Sequence, residues 1–132
     1  MNYQRQKTIK VPIYPLYFTL IVTKDVEKSV KAQQKNFPNY DTSFGEGNQG
    51  CAVMHNGHVA IFLDEKWICH GLIAHELSHI ITMIEDHLQL RPEKENDEAS
   101  AYLTDYLTEE VYKMLNHWKI KVKLVQVTPK LI

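Results

Sequence analysis

The stretch WICHGLIAHELSHIITMIED, residues 67–86, decides how the rest of the chain is read. Its apolar residues recur at helical spacing and bracket a polar set, His75, Glu76 and His79, in the order H-E-x-x-H. At about 100° per residue these three fall within one third of the helix circumference, with Ile68, Leu72 and Met83 on the same side. Ile73, Ala74, Leu77, Ile80, Ile81 and Ile84 cover the opposite side and form a sufficient core stripe by themselves. A helix that is apolar nearly all round is a buried one. It cannot leave three polar groups unpaired at about 1–3 kcal/mol each. The spacing supplies a partner. Histidines at i and i+4 turn their ring nitrogens to one point about 2 Å from each, as zinc requires. A glutamate at i+1 is turned too far to ligate easily, but it can take a proton from a water on the metal as general base. The expectation is a zinc site on a helix over residues 67–84. The plain alternative is a core helix whose histidines bond elsewhere.

Outward from this helix, GCAVMHNGHVAIFLD holds two β-rich runs, residues 50–54 and 58–63, around Asn56-Gly57, a strong hairpin signal. Residues 13–23 are rich in β-branched and aromatic side chains and read as the first strand. Asp25 caps a helix to about Asn36, with Val26, Val30 and Ala32 facing inward, and Pro38 ends it. NYDTSFGEGNQG is a loop by composition, and EDHLQLRPEKEN is a polar connection containing Pro92. Asn96 or Asp97 then caps a long helix to about Trp118, with Leu103, Leu107, Val111, Met114 and Trp118 as its core stripe. IKVKLVQV closes the chain as a last strand. The order is β-α-β-β-α-α-β: an α+β class, a small and mostly antiparallel sheet packed on the H-E-x-x-H helix and a second long helix.

Composition sets the outer limits. The 132 residues suffice for one domain, residues 1–132, with one modest core. Fifteen Lys and Arg against sixteen Asp and Glu give no electrostatic reason to expect nucleic acid or an anionic membrane as partner. VPIYPLYFTLIV is interrupted by Pro12 and Pro15 and is too short to span a bilayer, so neither signal peptide nor anchor is expected. Cys51 and Cys69 are too few for a disulfide scaffold, which points to a reducing cytoplasm and free thiols.

Three residues compete as a third ligand. Glu85 stands where H-E-x-x-H-x-x-G-x-x-H enzymes place a histidine, although Thr82 occupies the glycine position. His87 follows two residues later. Glu98 opens the next helix in NDEASAYLTDYL, nineteen residues after His79, where a carboxylate can project across from an antiparallel helix. Together, HELSH and NDEASAY resemble the zincin metallopeptidases of the gluzincin type, in which a glutamate on a following helix completes the set. The resemblance covers about residues 50–107. It is closest to compact zincins of bacterial and phage origin that cleave repressors, and to small phage proteins with an NDEAxAYL stretch. It implies His75, His79 and Glu98 as zinc ligands, Glu76 as base, and a hairpin whose edge and inner strands come immediately before the active-site helix. Larger relatives often carry an aspartate four residues after the ligand glutamate, where this chain has Tyr102. Asp105 is the candidate for that supporting contact, and Tyr102, Tyr106, His87 and His117 are candidates for stabilising an oxyanion.

The expected activity is that of a zinc-dependent hydrolase, most simply a peptidase acting on a protein or peptide. Two rivals stand beside it. One is a zinc-stabilised binding or structural module without chemistry, of phage origin. The other is a deformylase-like amidase that takes Cys51 as third ligand, since NQGCAV echoes the EGCLS-type strand of those enzymes. His55 and His58 read as exposed hairpin residues, His70 as a core or surface histidine pointing away from the motif, and Cys69 as a small buried residue.

Overall fold

A computed structural model describes residues 4–38, 49–90 and 97–125. Residues 39–48 of the expected loop, the connection around Pro92, the capping candidate Asn96 and residues 126–127 of the expected last strand lie outside the described residues. The elements run β1 (Gln4–Lys10), β2 (Tyr17–Thr23), α1 (Val26–Ala32), β3 (Gly50–His55), β4 (His58–Asp64), a 3-10 turn (Glu65–Trp67), α2 (His70–Leu88) and α3 (Glu98–His117). The class is α+β, with a four-stranded mixed sheet and three α-helices among the described residues.

The sheet order is β1-β2-β4-β3. Strands β1/β2 and β3/β4 pair antiparallel, and β2/β4 pair parallel. The hairpin forms where Asn56-Gly57 predicts it, with both residues at positive φ (48° and 79°), the conformation of a type I′ turn. Side-chain alternation divides the core between the two sheet faces. Phe18, Leu20, Val22, Ala52, Ile61 and Leu63 face α2 and α3, whereas Ile21, Cys51, Val53, Ala60 and Phe62 meet Val26 and Val30 of α1.

Several expectations change. The expected first strand begins only at Tyr17. Residues before it form a tight connection closed by Val11 N–H donating to the Leu16 carbonyl at 2.9 Å, and Ile13 there is 82% exposed at φ 63°. A strand precedes that connection. QRQKTIK carries no apolar alternation because β1 is an edge whose residues are mostly solvent-exposed, and Arg5, Lys7 and Lys10 guard it against pairing with other chains. Helix α1 ends at Ala32 rather than near Asn36, and Ala32 is exposed. Residues 120–125 are no strand. Lys123 makes one parallel bridge to Cys69, because the lead-in to a helix offers too few extended residues for a ladder. There the His70 N–H donates to the Lys123 carbonyl at 3.1 Å, and the Lys123 N–H to the Ile68 carbonyl at 3.2 Å. Helix α2 begins at His70, three residues later than expected, after the 3-10 turn.

Candidate functional site

Helix α2 buries Ile73, Leu77, Ile80, Ile81 and Ile84 in the core and Leu72 and Glu76 toward β3. The remaining face is open: Ala74, His75, Ser78, His79 and Thr82 are exposed. The helix is therefore not apolar all round. The motif splits, with the histidines reaching solvent and the glutamate buried against the first residue of β3. Ser78 and Thr82 hydroxyls bond back to the carbonyls of His75 and Ser78, at 3.0 and 3.1 Å.

His75 and His79 converge as the i, i+4 spacing requires. Their Nε2 atoms are 3.3 Å apart, with the rings edge to face at 82°. Two imidazole nitrogens on one tetrahedral zinc, each about 2.0–2.1 Å from it, stand about 3.3–3.4 Å from each other. The same separation lets one neutral imidazole donate to the other. The pair thus fits a zinc ion, though not zinc alone. Glu76 is only 5% exposed. Its carboxylate lies against Gly50, the first residue of β3, where an added β-carbon would stand 2.9 Å from Oε2.

The third-ligand candidates lie elsewhere. Glu85 accepts a 2.6 Å hydrogen bond from Ser100 of α3, and at the other end of α2 His70 Nδ1 bonds the Tyr112 hydroxyl. These two pins make the helices antiparallel and fix their register. Glu98 precedes Ser100, so it is level with the C-terminal end of α2, on the order of 10 Å along the axis from His79. It is exposed. His87 sits by the hairpin turn, its Nε2 3.6 Å from where a β-carbon on Gly57 would stand. Cys51 lies on the far face of the sheet, because alternation along β3 turns Ala52 toward α2 and Cys51 toward α1. The deformylase-type set is therefore not assembled. Among the described residues, no three His, Cys, Asp or Glu side chains gather as a metal-binding cluster.

Tyr102 is 42% exposed and its ring stacks on Tyr106. Burial, then Glu110, holds the Tyr106 phenol above its ordinary value. Asp105 and His117 are exposed on α3. His55 is half-buried with Nε2 3.1 Å from Asn56 Nδ2. His58, expected in solvent, is half-buried: its Nε2 is 2.6 Å from the Thr19 hydroxyl and its ring packs on Phe37. Cys69 is buried at the N-cap of α2, as expected of a small core residue. Gly50 has no place among the sequence-derived candidates, since nothing in its neighbourhood announces which helix will cross it.

No protein-family model matches this chain, and neither a curated protein nor a solved structure matches it. Among the described residues, no helix is long and apolar enough to cross a membrane.

Proposed function

We propose that the chain is a zinc-dependent hydrolase of the zincin type, acting on extended peptide. The observation that carries the reading is the 3.3 Å approach of the His75 and His79 Nε2 atoms on one exposed helix face. His75 and His79 hold the ion. A zinc bound there supplies Lewis acidity toward a peptide carbonyl and toward water. Glu76 takes the proton from the attacking water and passes it to the leaving amine. Strand β3 is the sheet edge next to α2, and it carries none of the charges that guard β1. Its backbone suits pairing with an extended substrate.

Glu98 is the third ligand the resemblance assigns. It joins the pair only through displacement of the first turn of α3. Metal analysis therefore tests the reading and this assignment together. Wild type is expected to hold one zinc per chain, and His75→Ala or His79→Ala to lose it. Loss in Glu98→Ala assigns that carboxylate, and full retention removes it. Glu76→Gln is expected to keep zinc and lose hydrolysis. A wild type without zinc ends the proposal.

A second reading, zinc binding without chemistry, is favoured by the position of the oxyanion candidates. Tyr102 stacks on Tyr106, and His87 sits at the hairpin turn. Wild type and Glu76→Gln that both bind zinc and both leave peptides intact would establish it.

A further inference from the structure

We infer that Gly50 is a positioning residue for Glu76: the missing side chain at the head of β3 is the space in which the carboxylate lies. The inference rests on the hydrolase reading for its catalytic meaning but on contacts alone for its geometry. A β-carbon at position 50 would stand 2.9 Å from Glu76 Oε2, 3.1 Å from Glu76 Cγ and 3.1 Å from Leu72 Cδ1. The first distance is one that real β-carbons essentially never show. The atom at 2.9 Å is the tip of the Glu76 side chain, so it is the carboxylate that shifts, and it does so among buried neighbours: Glu76 is 5% and Leu72 8% exposed.

Backbone conformation does not account for this glycine. Gly57 sits at φ 79°, where glycine is favoured, but Gly50 is outside the left-handed region and pairs with Leu63 in a regular antiparallel ladder. Glycine there only weakens the strand. What it permits is the close passage of α2 over the sheet edge, with an acidic side chain packed between them. Alanine at this position keeps the ladder and pushes the carboxylate away from β3. A general base acts only within hydrogen-bond reach of its proton, so such a shift is felt in turnover rather than in metal binding.

A double-mutant cycle of Gly50→Ala and Glu76→Ala in metal-free full-length chain tests the contact by urea denaturation. Gly50→Ala is expected to lower the midpoint clearly when Glu76 is present and much less when residue 76 is alanine. Equal shifts in both backgrounds overturn the inference. Should Gly50→Ala fail to fold, a restored cooperative transition in the double variant is the expected result, and no restoration the overturning one. With zinc and a peptide substrate, Gly50→Ala is expected to retain one zinc per chain, keep KM and lose kcat by about 10- to 100-fold. Unchanged kcat in a folded, zinc-loaded Gly50→Ala also overturns the inference. A wild type that binds no zinc ends the hydrolase proposal, and the urea cycle still decides whether Gly50 makes room for Glu76.

Discussion

His58 and the His75/His79 pair mark the two ends of what a sequence tells about a histidine. The i, i+4 pair is fixed by helix geometry alone, so the convergence of its nitrogens is legible before any tertiary structure exists. His58 lies beside an Asn-Gly turn and reads as solvent-exposed. It is half-buried because β2 places Thr19, and the segment after α1 places Phe37, against it. Burial holds its imidazole below the ordinary value of 6.5. Between that depressed value and 6.5 the unfolded chain binds more protons than the folded one. This residue's contribution to stability is therefore complete above 6.5 and declines as pH falls through that window. Urea midpoints measured on either side of 6.5 should show the slope, and His58→Gln should reduce it. A variant with the wild-type slope would remove the assignment. Cys51 teaches a related lesson. The likeness of NQGCAV to a deformylase strand suggests a ligand, while period-two alternation along the strand puts the thiol on the other face of the sheet from α2.

At the scale of elements, α2, α3 and the β3/β4 hairpin are legible because each declares itself locally, by apolar periodicity or by turn chemistry. Strand β1 is not, since an edge strand guarded by lysine and arginine has the polarity of a loop. Residues 120–125 fail in the opposite sense: apolar residues alternate, but among the described residues their pairing is the single bridge from Lys123 to Cys69. The position of Glu98 belongs to this scale too. Counting residues from His79 places it on the next helix, whereas the helix register depends on contacts such as Ser100 to Glu85, which counting does not reveal. That bond joins a partly buried hydroxyl to a carboxylate, so Ser100→Ala should cost about 1–3 kcal/mol in chemical denaturation. A cost near zero would mean that apolar packing at Leu103, Leu107 and Val111 sets the register unaided.

For the molecule as a whole, a ligand that binds only the folded chain adds stability by mass action. If the histidine pair holds zinc, ion at 100 times its dissociation constant should stabilise the fold by about 2.7 kcal/mol. Thermal melts with zinc and with chelator should separate for wild type and coincide for His75→Ala. Coincident wild-type melts would count against the pair as a site. The two sheet edges differ in kind, one charged and the other apolar beside α2, and under the proposed function the substrate strand pairs with the second. The docking of Lys123 on the start of α2 has a temporal consequence. A ribosome emits the motif helix long before it emits the segment that accepts the His70 N–H. Nascent chains arrested between the two should leave the opening turn of that helix frayed, and protease should nick it there until Lys123 has emerged.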